Sequence, residues 1–165
     1  MAVHEHKGLS KSNLKVGVIT ASDSRTPETD SSGRLIRERL ETAGHTVVYY
    51  EIVPDVAERI ADAVLGRLEE LDAVIVNGGT GIAPRDSTIE AIRPLLEKEI
   101  EGFGEIFRAL SYQEIGAAAM LSRALAGVCK GRFIAALPGS TAGCRLAMEK
   151  LIVPELGHIA YLLGQ

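Results

Sequence analysis

Tryptophan is absent from this chain of 165 residues, and aromatic residues make up only 4% of it. Its core must therefore be built from Leu, Ile, Val and Ala. Cysteine is scarce as well. Cys129 and Cys144 form no CxxC pair and no metal-ligand spacing. That argues against a disulfide framework, points to a reducing cytoplasm, and leaves both thiols as packing residues. No apolar run reaches the ~18 residues that a membrane span needs. The opening MAVHEHKGLSKSN lacks the apolar stretch of a signal peptide. The formal net charge is only −4, and this mild acidity argues against a broad nucleic-acid surface, which needs a basic patch. Two nucleotide motifs are missing too. No Gly-Lys-Ser/Thr follows the glycines as in a Walker loop, and no GxGxxG is present.

What remains is an ordinary globular composition, 46% apolar, of a length that suits one domain. Residues 1–13 are polar and read as a flexible tail; 14–165 read as the domain. His4 and His6 in that tail fall short of the ligand count a metal requires. Beyond it, strand and helix patterns alternate. LKVGVITAS, HTVVYYEIV, DAVIVNGG and KGRFIAALPGS read as strands. SGRLIRERLETAG, with Gly44 as its stop, and DVAERIADAVLGRLEEL read as helices. STIEAIRPLLEKEI reads as a third helix that Pro94 bends or restricts in its start; Ser87 or Thr88 can cap it, with Glu90 three residues after Ser87 as in a capping box. FGEIFRALSYQEIG and AAMLSRALAG read as short helical segments, which places Ser122 and Arg123 on a helix. The C-terminal stretch from Thr141 is helical and strongly apolar. This order predicts an α/β fold with a mostly parallel sheet covered on both faces.

In such folds ligands sit at the carboxyl ends of the strands. That rule selects four loops: Ser22 to Ser32, Pro54–Asp55, Gly78 to Asp86, and Pro138 to Thr141. In NGGTG the glycines Gly78, Gly79 and Gly81 allow close backbone approach to a phosphate ahead of a helix start, and Thr80 adds a hydroxyl. A tight turn needing positive φ explains a glycine pair equally well. Asp86 repels a phosphate unless a cation intervenes. Mg²⁺ held between Asp86 and Asp55 resolves that conflict; a helix-dipole charge at Asp86 and an N-cap at Asp55 are the plainer readings. Arg85 can pair with Asp86 or grip a phosphate. Arg123 can bind an anion or form a surface ion pair. Pro138-Gly139-Ser140-Thr141 is a second glycine turn ahead of a helix. His45 and His158 have no nucleophile at a supporting spacing and receive no catalytic role.

TASDSR, SSG, VPD, NGGTGIAPRDST, SRALAG and LPGS occur in this order. With them the chain resembles the MoaB/Mog family of molybdenum cofactor biosynthesis proteins over about Leu14 to Gln165. LSYQEIGAAAMLSRALAG and PGST look like the B-type branch. Plant-type members carry Glu where Val56 follows Pro54-Asp55, and Pro where Thr141 ends the PGST turn. The resemblance implies a three-layer α/β/α sandwich, assembled as a trimer or hexamer, that binds molybdopterin. Active members transfer AMP from Mg-ATP to the molybdopterin phosphate and release pyrophosphate. Carried over residue by residue, Asp55 and Asp86 match the catalytic, Mg²⁺-holding carboxylates. Gly78, Gly79, Thr80 and Gly81 match the substrate and nucleotide loop, flanked by Ser32, Ser122, Pro138, Gly139 and Ser140. A non-catalytic molybdopterin carrier is the alternative that the resemblance leaves open. Self-association is expected through the apolar segment Phe103–Leu110 and the C-terminal helix.

Overall fold

The computed structural model describes residues 9–165; His4, His6 and most of the expected tail lie outside the described residues. The chain runs through β1 (Lys15–Ala21), α1 (Ser31–Thr42), β2 (Thr46–Val53), α2 (Ala57–Arg67), β3 (Ala73–Asn77) and α3 (Thr88–Ile92). It continues through β4 (Lys98–Glu99), α4 (Glu101–Ile115), β5 (Leu125–Cys129), β6 (Arg132–Leu137), α5 (Thr141–Ala147) and α6 (Val153–Leu163). The strands form one sheet in the order β2-β1-β3-β6-β5-β4. β2, β1, β3 and β6 are mutually parallel, whereas β5 is antiparallel to both β6 and β4.

Strand residues alternate between two cores, as the period of two requires. Val16, Val18, Ile75, Phe133 and Ala135 pack with Leu35, Ile36 and Leu40 of α1, Phe107 of α4 and Leu156 of α6. Ile19, Val74, Val76, Ile134 and Ala136 face the other way, onto Ile60 and Val64 of α2 and Ile89 and Ile92 of α3. Both faces of the sheet are thereby covered, giving the three-layer α/β/α sandwich. The short strands β1, β3 and β6 are buried almost throughout.

Two expected helices are shorter than their patterns suggested. The segment from Ser87 stops at Ile92, because Pro94 lacks an N–H and tightens the chain into a single 3₁₀ turn, Arg93–Leu95. Lys98–Glu99 then pairs with β5. AAMLSRALAG is not a helix past Leu121: Ser122 is extended, Arg123 belongs to no helix, and Leu125–Cys129 is a strand. The reason lies just beyond it. Lys130 (φ 48°) and Gly131 (φ 72°) form a two-residue hairpin turn, so β5 folds back onto β6 and strand pairing overrides the helical spacing.

Phe103 and Phe107 sit in the core rather than on the surface. The exposed apolar residues of this region are Ile106, Tyr112 and Ile115 of α4, followed by Met120 and Leu121. No helix among the described residues is long and apolar enough to cross a membrane.

His45 enters the fold at the start of β2, buried, with Nδ1 accepting the Leu14 amide at 3.3 Å. Burial holds its pKa below the usual 6.5, with the nearby Asp72 charge opposing in part. The unfolded chain takes up this proton at a higher pH than the folded one does. Stability is therefore full above about pH 6.5 and is lost as the pH falls from there through the depressed folded value. Thermal melts are expected to show a falling midpoint over that window. His45→Gln, which keeps an acceptor but cannot charge, is expected to flatten it.

Candidate functional site

The loops that follow β1, β2, β3 and β6 meet at one edge of the sheet, and the glycine loop lies at their centre. Gly78 (φ 91°) and Gly79 (φ 65°) take the left-handed conformation that side chains disfavour. The loop's carbonyls are all engaged. Thr88 Oγ1 donates to Gly78 O at 2.7 Å, and Thr88 N donates to Gly79 O at 3.0 Å. Arg123 N donates to Thr80 O at 3.2 Å, and Arg123 Nε donates to Gly81 O at 2.9 Å. The amides are not engaged in the same way. Gly78 N donates to Leu137 O at 3.0 Å, but no acceptor among the described residues takes the N–H groups of Gly79, Thr80 and Gly81. Carbonyls turned into the protein and amides left over make a concavity suited to an anion.

The glycines also make room for the protein's own groups. A Cβ on Gly78 would run into the Ala21 carbonyl oxygen. One on Gly79 would stand 2.8 Å from Asp55 Oδ1, and one on Gly81 2.7 Å from Asp86 Oδ2. The two carboxylates thus flank the loop, each against a bare glycine. Positive φ holds at Gly78 and Gly79, and the close approach of Asp55 to Gly79 and of Asp86 to Gly81 adds a demand that the sequence does not display.

Each aspartate is fixed differently from its simplest expectation. Asp55 does not cap α2, whose N-cap is Val56 without a side-chain bond. Its Oδ1 instead accepts Ser87 Oγ at 2.9 Å and Ser87 N at 3.3 Å. Ser87 therefore makes no cap bond to α3, and its partner in the expected capping box, Glu90, pairs with Arg123. Asp86 Oδ2 accepts Ala83 N at 2.8 Å, closing the turn ahead of α3. Arg85 pairs with Asp23, not with Asp86. Asp23 Oδ1 also accepts the Asp55 amide at 3.2 Å, so Asp23 ties three of the four loops together. Arg123 fulfils its plainer reading, an ion pair with Glu90, and in addition anchors the glycine loop. Its bond to Glu90 is the main cause of that carboxyl's lowered pKa.

The second glycine turn abuts the first: a Cβ on Gly139 would lie 3.3 Å from the Gly78 Cα. Pro138 sits beside it, and Ser140 caps α5 by accepting Gly143 N at 3.1 Å. Ser32 is buried beneath the loop, with its hydroxyl turned toward Asp30 and Asn77. Ser122 lies apart, lining a hollow of about 290 Å³ with Arg93, Arg108 and Met120. Two larger hollows lie among these loops, the second of them lined by Asp86. One of about 590 Å³ opens between Ser22–Pro27 and Tyr50–Pro54; one of about 420 Å³ is lined by Ile82, Pro84, Asp86 and Arg123. Cys144 is buried at the start of α5, and burial, reinforced by the charge of Asp30, pushes its thiol up to about 12. It is inert packing, as is Cys129, whose pKa burial also raises.

Fold and loops together define the class: a three-layer α/β/α protein whose ligand loops gather at the carboxyl edge of a mostly parallel sheet. The chain belongs to the family described as "Probable molybdopterin binding domain", whose model matches residues 17–158. It is 52% identical to molybdenum cofactor biosynthesis protein B of Bacillus anthracis, over 99% of this chain and 98% of that one. A crystal structure of a molybdenum cofactor biosynthesis protein B is 53% identical and superposes with a TM-score of 0.89, covering 92% of this chain and 96% of the other. The tungsten cofactor synthesizing protein MoaB from Pyrococcus furiosus, 42% identical, gives a TM-score of 0.82 over 91% and 96% of the two chains.

Proposed function

We propose that this protein acts in molybdenum cofactor biosynthesis in the cytoplasm, binding molybdopterin and Mg-ATP and transferring AMP to the molybdopterin phosphate. The observation that carries this reading is the triplet of unengaged amides at Gly79, Thr80 and Gly81, set between two carboxylates. Amides alone suit a phosphate, and carboxylates alone repel one. Side by side they suit a phosphate that arrives with a cation. The oxygen donors of Asp55 and Asp86 fit Mg²⁺, which takes one or two carboxylates and completes its shell with water and phosphate oxygens. When bound, the cation neutralises charge between the two phosphates.

The chemistry asks little else of the chain. A phosphate oxygen of molybdopterin attacks the α-phosphorus of ATP. The bond from that phosphorus to the oxygen bridging to the β-phosphate breaks, and pyrophosphate leaves with the electron pair. The attacking oxygen is already anionic, so no general base is required. Loop amides aimed at the reacting phosphoryl group stabilise the charge that builds there. The hollow lined by Asp86 gives a phosphate an approach to that carboxylate, and catalysis rests on positioning and electrostatics. The exposed Ile106, Tyr112, Ile115, Met120 and Leu121 serve self-association as a trimer or hexamer.

Calorimetric titration tests the nucleotide half directly. ATP is expected to bind with magnesium present and to lose that binding in Asp55→Asn. Molybdopterin binding with no heat from Mg-ATP would favour a non-catalytic carrier, the reading to which Val56 and Thr141 incline the sequence.

A further inference from the structure

Beneath the glycine loop lies a ring of buried polar side chains that the chemistry above does not use. Asp30 is fully buried at the N-cap of α1, with Oδ1 accepting Gly33 N at 3.0 Å. Thr20 Oγ1 and Tyr50 OH donate to its Oδ2, each at 2.6 Å, and Ser32 Oγ, whose single proton is shared with Asn77 Oδ1, lies 3.2 Å from its Oδ1. Asn77, the last residue of β3, is also fully buried. Its Nδ2 donates to Thr20 Oγ1 at 2.9 Å and to Ile19 O at 3.2 Å, while its Oδ1 accepts Ser32 Oγ at 2.9 Å. Thr20 and Asn77 face each other in the β1–β3 register. The ring thus joins α1, β1 and β3 one residue before Gly78.

The direction of these bonds follows from the charge on Asp30. An ionised carboxylate only accepts, so it takes the single Thr20 hydroxyl proton. The Thr20 oxygen is then free to accept from Asn77 and, together with the Ile19 carbonyl, fixes which end of that amide faces β1. Asn77 in that orientation holds the end of β3 against both β1 and α1. A neutral Ser or Asn would cap a helix as well as Asp does, without the cost of burying a charge. The buried charge therefore points to a task beyond capping. Burial tends to raise the Asp30 pKa, but the bonds from Thr20, Tyr50, Gly33 and Ser32 outweigh it and hold the group below its ordinary value. Burial, with the bond to Asp30, raises the Tyr50 phenol in turn, so that hydroxyl remains a donor.

We propose that Asp30 is a positioning residue for the glycine loop: through Thr20 it orients Asn77, and so sets the Gly78–Gly81 backbone with its amides facing an incoming phosphate. This rests on the reading of that loop as a phosphate site. Two probes keep the two ideas separable. The first is ligand-free. In ¹⁵N spectra of the full chain, the amide resonances of Gly78–Gly81 shift in Thr20→Val, which keeps the volume and loses the hydroxyl. They return in Thr20→Ser, which restores it. The second is titration of inorganic pyrophosphate in excess magnesium. Thr20→Val weakens binding by about tenfold, the order expected for losing a charge-assisted hydrogen bond. Thr20→Ser lies within about twofold of the parent, a change below what one such bond is worth. Asp30→Asn matches Thr20→Val, and the double variant is no weaker than either single one. If Asp30→Asn does not fold, the two Thr20 variants decide alone. Loop resonances unmoved in Thr20→Val, or binding left intact in that folded variant, overturn the proposal. So does a Thr20→Ser variant as weak as Thr20→Val. Resonances that move in a parent protein that binds no pyrophosphate would uphold the positioning and remove the phosphate reading instead.

Discussion

Asp86→Asn and Asp55→Asn are each expected to lower adenylyl transfer by about a hundredfold or more, the order associated with losing an electrostatic contact to a reacting group. The substitution is chosen to spare the fold. An asparagine oxygen at 86 still accepts the Ala83 amide, and one at 55 still accepts the Ser87 hydroxyl. What each variant loses is charge, and in the proposed reaction charge is what these positions would contribute to holding a cation between two phosphates. The melting midpoint is therefore expected to stay near that of the parent while turnover collapses. A variant that melts early and loses activity in proportion would place the aspartate among the structural residues. Excess magnesium is expected to restore part of the rate, because weakened cation binding is then offset by mass action.

Gly78→Ala is expected to destabilise the folded state by about 2 kcal/mol or more, from left-handed backbone strain and steric overlap together. The clash is with backbone, the Ala21 carbonyl oxygen at the end of β1, which cannot swing aside as a side chain would. Gly66 supplies the control. Its φ is not positive, and a Cβ there meets nothing within 4 Å. Gly66→Ala near the end of α2 is expected to be neutral or to stabilise by about 0.5–1 kcal/mol. Urea midpoints at constant slope measure both. A Gly78→Ala protein as stable as the parent would mean that the loop tolerates a different path, and that its bare backbone answers to the ligand alone.

The sequence displayed the frame of the fold because period and propensity agreed over β1, β2, β3, β6, α1 and α2. It hid β5 because Leu125–Cys129 owes its strand to pairing across the Lys130–Gly131 turn, a tertiary cause. The Lys-Gly pair between apolar runs was the available signal. The glycine loop and both aspartates were legible as a cluster at strand ends. What they touch was not: nothing in the string shows Asp55 reaching Ser87, or Arg85 leaving its neighbour Asp86 for Asp23. Asp30 was the largest omission. In DSRTPETDSSG it reads as one more polar loop residue, since the sequence carries no sign of its complete burial. Its place three residues before Gly33, at the head of a helix, marked an N-cap. Only the fold shows that Thr20, Tyr50 and Ser32 converge on the same carboxylate.

One reaction mixture tests the central claim most directly: the full chain, molybdopterin, ATP and magnesium, with products separated and identified by mass. Adenylylated molybdopterin and pyrophosphate are expected to appear in equal amounts, and to be reduced to a trace in Asp86→Asn. Molybdopterin recovered unchanged from a folded, molybdopterin-bound protein, at a rate no different in that variant, would contradict the account.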